Sequence, residues 1–212
     1  MTDWVKEAQE KWEQVRRLSE EVAAGLDDGW SLKYYDTREY SGRSPDIVHT
    51  DGRSFDLRIG DYGQDQGKVA VRPNWPTRPG DGHACMSPHD LYSPREESPS
   101  INVSISRGVP VIVREIERRF LPEYTRIRQR LVDKLAAEIE WKSKQEAAFA
   151  RIKEAVPTLR EVNDPCAGSY YPQNGSNGGY GTVKVNSGES VDIEFHSLSP
   201  EKALEALKVL CG

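Results

Sequence analysis

Apolar residues near the amino terminus recur at alternating steps of three and four, which is the pattern of a heptad seam along one helix face. The positions that form this seam are Val5, Ala8, Trp12, Val15, Ser19, Val22 and Leu26. An amphipathic helix must bury its apolar face against another element. The seam therefore predicts either a helical hairpin within the chain or a homodimer that pairs two copies of it.

A second stretch of helical periodicity, from about Pro110 to Val156, is the best internal partner for this seam. Its apolar positions also follow steps of three and four, with one break near Trp141: Ile116, Phe120, Tyr124, Ile127, Leu131, Leu135, Ile139, Phe149, Ile152 and Val156. Because proline lacks the backbone N–H, we expect the helix to kink or to split at Pro122. The pattern predicts a protruding hairpin of residues 1–27 with 110–156.

Between these helices, apolar and polar residues alternate as they do in half-buried strands. Four such segments lie between Trp30 and Trp75, and Asp51-Gly52 is typical of a hairpin turn between two of them. A further strand is expected over 101–105. The pattern predicts an antiparallel four-strand meander plus additional strands.

The last part of the chain predicts a ββα unit. Alternating positions over 183–185 and 191–195 flank the turn pair Ser187-Gly188. Ser199 then suits the N-cap of a helix that has Pro200 at its first position. We therefore expect an α+β fold with all 212 residues in one domain.

Two long loops, 73–100 and 163–181, interrupt this pattern, and loops of this length are usually functional or disordered. The first contains His83, Cys85 and His89, whose nitrogen and sulfur atoms are zinc ligands in many proteins. Their spacing follows no common zinc motif, so we favour a polar loop without a cofactor over a zinc site.

The second loop is rich in Gly, Ser and Asn and is flanked by Tyr170, Tyr171 and Tyr180. This composition is typical of adaptable contact surfaces. A phosphate-binding loop would lead into a helix, whereas this one leads into a strand. The composition predicts an interaction loop here. The alternative is a simple mobile linker, which we favour over the interaction loop.

Four arginines of the second helical stretch stand four residues apart in pairs, and each pair shares a helix face. They are Arg114, Arg118, Arg126 and Arg130. Guanidinium groups bind phosphate bidentately, so these residues form a candidate anion site for a phosphate-bearing ligand. The alternative is a solvated face with ion pairs, such as Glu115 with Arg119.

Composition excludes several classes of protein. A net charge of −5 gives no general attraction to nucleic acid, which is not an expected partner. No apolar run approaches the roughly 20 residues of a membrane span, and the first residues lack the apolar core of a signal peptide. Three cysteines without regular spacing suit a reducing compartment. We therefore expect a cytoplasmic protein without membrane association.

The sequence contains no local motif of a known catalytic nucleophile or metalloprotease. The run INVSISRGVPVIVREIERRFLPEYTRIRQRL, about a seventh of the chain, resembles uncharacterised proteins of actinobacteria and their phages. The resemblance implies no activity and no site residues, but it implies a phage or mobile-element accessory protein.

The function expected from the sequence is therefore non-enzymatic binding of a host protein or of a second copy of the chain, through the helical hairpin and the two loops. The alternative is a nucleotide or other anionic small-ligand-binding protein, a class that includes enzymes, with the arginines and the loop around His83 and His89 lining the site.

Overall fold

The computed structural model describes residues 3–35, 44–60, 63–79, 85–91, 97–156, 159–162, 166–170, 180–188, 190–196 and 198–204. The helices are α1 (Asp3–Gly25), α2 (Val109–Glu115) and α3 (Leu121–Ala155). The strands are β1 (Trp30–Lys33), β2 (Asp46–His49), β3 (Ser54–Ile59), β4 (Lys68–Asn74), β5 (Ile101–Ser104), β6 (Leu159–Glu161), β7 (Ala167–Tyr170), β8 (Tyr180–Ser187) and β9 (Ser190–His196). The fold is α+β, as predicted.

The predicted meander is confirmed as the first of two antiparallel sheets, in the order β1-β2-β3-β4-β5. Alternation sets its two faces, since Phe55 and Leu57 of β3 are fully buried while Arg58 is exposed. The Asp51-Gly52 turn joins β2 to β3, and Gly52 has a φ of +86°, which favours glycine. Helices α1 and α2 contact this sheet.

Among the seam side chains that the structure describes, from Ala8 onward, burial is confined to the second half of the seam. Val15, Val22 and Leu26 are at most 8% exposed, whereas Ala8 is exposed and Trp12 is half-buried. Helix α1 packs against α2, the start of the predicted partner stretch. Gly25 permits this approach, because a Cβ atom there would lie 2.9 Å from the Val113 side chain.

The predicted break at Pro122 takes the form of a π-helical turn. A continuous helix of 47 residues runs from α2 to α3 through Ile116–Phe120, where the Leu121 N–H donates to the carbonyl of Ile116. In a regular α-helix the ring of Pro122 would clash with the carbonyl of Arg118, four residues earlier. The wider turn avoids that clash, so the helix is neither split nor ended at the proline.

Tyr124, one turn after the π-helical segment, links α3 to the first sheet through hydrogen bonds to β3 and β4. Its ring is fully buried and stacks on Phe120 at a centroid distance of 5.3 Å. Its hydroxyl accepts the N–H of Ser54 at 2.9 Å and lies 2.9 and 3.0 Å from the carbonyl oxygens of Ser54 and Asn74. These strand residues face each other in the β3–β4 register.

The contacts divide the chain into two compact units, Met1–Lys134 and Leu135–Gly212, and the boundary falls inside α3. The second sheet has the order β6-β7-β8-β9. Phe149 of α3 packs with Leu159, Cys166 and Val185 to form the second core. The single domain over 1–212 stays a prediction.

Two short strands of this second sheet were not predicted. Part of the region expected as a loop over 163–181 is strand, because β7 and the start of β8 lie within it. Gly168 of β7 carries no side chain to suggest a strand, yet a Cβ there would lie 2.6 Å from Leu159 and 3.1 Å from Phe149. Glycine therefore allows β7 to approach the core closely. The hairpin of β8 and β9 is confirmed at the predicted turn.

Candidate functional site

Two of the four arginines predicted to bind an anion, Arg118 and Arg126, make ion pairs with neighbouring glutamates. Arg118 bonds Glu115 at 3.0 Å, and Arg119 bonds the same carboxylate at 3.3 Å. Hydrogen bonds from Arg118 are the main cause that lowers the pKa of Glu115. Arg126 bonds Glu123 at 2.6 Å. A phosphate would have to compete with these carboxylates, and the anion site stays a prediction.

Arg114 and Arg130 complete the predicted anion set. Arg114 is exposed on α2, while Arg130 is half-buried on α3. The π-helical turn separates Arg114 from Arg126 and Arg130, and it changes the helix phase between them. Twelve positions of regular α-helix would already turn Arg126 about 120° away from Arg114, so the sequence spacing by itself does not give the two pairs one common face.

The predicted zinc ligands are only partly described, since His83 lies outside the described residues. Cys85 is exposed, with its Sγ 3.7 Å from the Thr77 hydroxyl, and His89 belongs to a 3₁₀ turn. Within the described ranges, no three His, Cys, Asp or Glu residues are grouped to hold a metal ion. The zinc site stays a prediction because one of its three ligands is not described.

The predicted tyrosine loop is the connection from β7 to β8. Tyr171 lies outside the described residues, while the backbones of Tyr170 and Tyr180 end β7 and begin β8. In the sheet register, Tyr170 pairs with Gly181 and Tyr180 with His196. The loop therefore ends beside the last residue of β9, while it begins on β7, which β8 separates from β9.

A histidine and an aspartate meet at the β2–β3 turn, a combination found in acid–base sites. His49 Nδ1 lies 2.9 Å from Asp51 Oδ1, and Arg53 Nε donates to Asp51 Oδ2 at 2.7 Å. The other ring nitrogen, Nε2, faces Gly29, where a Cβ would lie only 2.6 Å away. The His49 side chain is only 14% exposed, and its contacts with Asp51 anchor the hairpin turn.

Burial opposes ionisation of Asp51, but hydrogen bonds from the Arg53 backbone and from the His49 and Arg53 side chains outweigh it. Together with the charge of Arg53 they lower the pKa of Asp51 to about 2. The carboxylate is therefore charged at neutral pH and holds the turn in place.

A row of charges crosses the sheet face opposite the first core. Cross-strand register aligns one residue from each of four strands, and we call these the charge row: Lys33, Asp46, Asp56 and Arg72. Asp46 is only 5% exposed and accepts the hydroxyl of Tyr35. Burial raises the pKa of Asp56, whose Oδ1 has no hydrogen-bond partner within the described part of the chain. The sequence places Asp56 on this face, but it gives no indication that two carboxylates meet there.

The most prominent apolar surface lies on β9. All seven residues of this strand are exposed, and every second one is a large apolar residue. Val191 is 39% exposed, Ile193 48% and Phe195 51%. We call these three residues the β9 stripe. Contiguous exposed apolar residues of this kind mark interaction sites in folded proteins.

The sheet register explains why the β9 stripe is apolar. Val191 and Ile193 pair with Val185 and Val183 of β8, and Val185 is fully buried in the second core. The Phe195 ring lies over Gly181, since a Cβ there would be 3.2 Å from its Cδ1 atom. The β9 stripe therefore lies on the same face of the second sheet as the buried Val185, but on a strand that the second core does not cover.

Sequence periodicity identifies β9 as a strand but does not show that both of its faces are exposed. The sequence does indicate that β9 is an edge strand, because the last strand of a meander lies at the edge of its sheet. The strand order places β9 at that edge, without a further strand beside it among the described residues.

Comparison with protein-family models, with characterised proteins and with solved structures finds no match. In the portions of the chain that the structure describes, no helix combines the length and apolar character needed to cross a membrane.

Proposed function

We propose that this chain is a non-enzymatic binding protein that engages another protein through the β9 stripe and the adjoining edge of the second sheet. The observation that carries the proposal is the exposure of Ile193 and Phe195, at 48% and 51%, on an edge strand. Natural proteins commonly protect such edges with charges, proline or covering loops. An edge strand with an apolar stripe is suited to a partner.

The predicted tyrosine loop supports the same surface. The backbone of Tyr180, where this loop ends, pairs with His196, the residue after Phe195, so a partner seated on the end of β9 also lies beside the first residue of β8. The resemblance of the 101–131 region to phage-encoded proteins supports a host protein as the partner and the cytoplasm as the location. These two parts of the proposal rest on the sequence.

The test replaces Phe195 of this protein with a photo-crosslinking amino acid and expresses the variant in a bacterial host. A second placement at position 141 is the control, since Trp141 is 52% exposed and matches Phe195. We expect a discrete adduct with one host protein from position 195 and none from position 141. Equal adducts from both positions, or none from either, would contradict the proposal.

The adduct partner is then purified and its affinity measured. Ile193→Asp should weaken binding roughly tenfold or more, because a charge in an apolar contact costs on the order of 1.4 kcal/mol or more. Ile139→Asp is the matched control, since Ile139 is also 48% exposed. Both variants should keep the melting temperature of the parent, as surface substitutions do. Equal losses of affinity would show that the stripe is not the contact.

A further inference from the structure

The outer edge of β9 offers a template for a further strand. Its seven residues extend over roughly 23 Å, at about 3.3 Å per residue. On its other side β9 pairs with β8 along most of its length, from Tyr180 opposite His196 to Ser187 opposite Ser190. An added strand would hydrogen-bond to the backbone of β9 and would continue the apolar face formed by the β9 stripe.

The face of β9 opposite the stripe is acidic. Asp192 and Glu194 alternate with the apolar residues and point to the other side of the sheet. Lys184 lies opposite Asp192 on β8, but Thr182, which is uncharged, lies opposite Glu194. His196 Nε2 is 3.6 Å from the Glu194 carboxylate. A strand on the outer edge therefore meets two carboxylates on this face.

A second copy of β9 is a poor occupant of this edge. Antiparallel pairing centred on Ile193 places Asp192 of each copy opposite Glu194 of the other. Centring the pair on Asp192 or on Glu194 instead places that residue opposite itself. Like charges directly opposite each other destabilise a strand pair. Registers centred on Val191 or on Phe195 avoid these contacts, but each pairs only three residues of β9 with three of the other copy. The registers with the longest overlap are therefore the ones whose charges oppose self-association.

We infer that the partner segment is an extended strand that alternates apolar with cationic side chains and adds to the outer edge of β9. Its apolar residues continue the β9 stripe, and its lysines or arginines lie across from Asp192 and Glu194. Opposite charges at cross-strand positions stabilise the pairing that like charges would oppose. This inference rests on the proposed function and specifies its partner.

The test uses synthetic peptides of the length of β9 and the full-length protein. The first peptide alternates lysine with valine, the second replaces each lysine with glutamate, and the third has the lysines and valines in separate blocks. In fluorescence anisotropy we expect saturable binding of the first peptide and roughly tenfold weaker binding of the other two. N-methylation of alternate residues in the first peptide should abolish binding, because it removes the strand hydrogen bonds.

Protein variants assign the effect to β9. Ile193→Asp should abolish binding of the alternating lysine peptide, while Ile139→Asp should leave it unchanged. The double variant Asp192→Lys, Glu194→Lys should reverse the preference in favour of the glutamate peptide. This reversal is the decisive result: the two substitutions each add two charges and change the formal net charge from −5 to about −1, so a general attraction of lysine would weaken but would not become a preference for glutamate.

Three outcomes would overturn the inference. Equal binding of the lysine and glutamate peptides, both lost in Ile193→Asp, would refute the charge requirement while the proposed function stands. No peptide binding, alongside a crosslinked partner at position 195, would refute strand addition and leave the proposed function intact. A dimer in light scattering that Ile193→Asp dissociates would identify a second copy as the occupant.

Discussion

The hydroxyl of Tyr124 gives the sharpest test of the first unit. In Tyr124→Phe the ring and its stacking on Phe120 are retained, but the N–H of Ser54 loses its partner at 2.9 Å. Tyr124 is fully buried, so water does not replace the hydroxyl. A buried donor left without a partner costs about 1–3 kcal/mol, and we expect the free energy of unfolding to fall by that amount.

Urea denaturation followed by tryptophan fluorescence measures this loss, because the Trp75 ring lies 5.4 Å from the Tyr124 ring. Tyr34→Phe is the matched control. The Tyr34 hydroxyl also donates a hydrogen bond, to Glu20 at 2.9 Å, but Tyr34 is 50% exposed. Its removal should change stability by less than about 0.5 kcal/mol. A loss in Tyr124→Phe no larger than in the control would refute the role of the hydroxyl as the link between α3 and the β3–β4 pair.

The pKa of Tyr124 adds a dependence on pH. Burial raises this pKa, so the folded state holds the phenolic proton more tightly than the unfolded state does. The corresponding stability is fully present below the unfolded value of about 10 and is lost as the pH rises through the higher folded value. Tyr124→Phe should weaken this alkaline loss of stability, and an unchanged alkaline profile would argue against a buried hydroxyl.

The remaining predictions concern charged groups. The pKa of Asp51 is lowered from 3.8 to about 2, so the stability that its charge contributes is present above pH 3.8 and is lost as the pH falls toward 2. In Asp51→Asn the free energy of unfolding should therefore depend less on pH in that range. Burial raises the pKa of Asp56 above 3.8, so its charge destabilises the fold at neutral pH; Asp56→Asn should raise the melting temperature at pH 7, with a gain that shrinks as the pH falls through the raised pKa and is gone below about pH 3.8. If the anion site exists, calorimetry at low salt should detect binding of a nucleotide or short oligonucleotide that Arg118→Ala with Arg126→Ala abolishes; no heat with any of them would remove that alternative.

Local sequence determined the elements whose residues carry their own pattern. The alternation around Phe55 and Leu57, together with the Asp51-Gly52 turn, was sufficient to predict the meander and its apolar face. The seam of α1 was also visible, because helical spacing depends only on residues a turn apart. The missing donor of Pro122 indicated a disturbance in the long helix, although the sequence did not distinguish a kink or a split from the π-helical turn that the structure has.

Tertiary structure decided which of these faces are buried. The valines of β8 and β9 alternate in the same way, yet Val185 lies in the second core while Val191 and Ile193 remain exposed. Likewise, Asp46 and Asp56 lie ten positions apart in the chain and meet only because the antiparallel register pairs them. Periodicity describes one segment at a time, whereas burial and charge contact depend on which distant segments pack against it. The amino-acid sequence by itself therefore predicted strands and helices, and only the fold showed that β9 carries an exposed apolar stripe at the edge of the second sheet among the described residues.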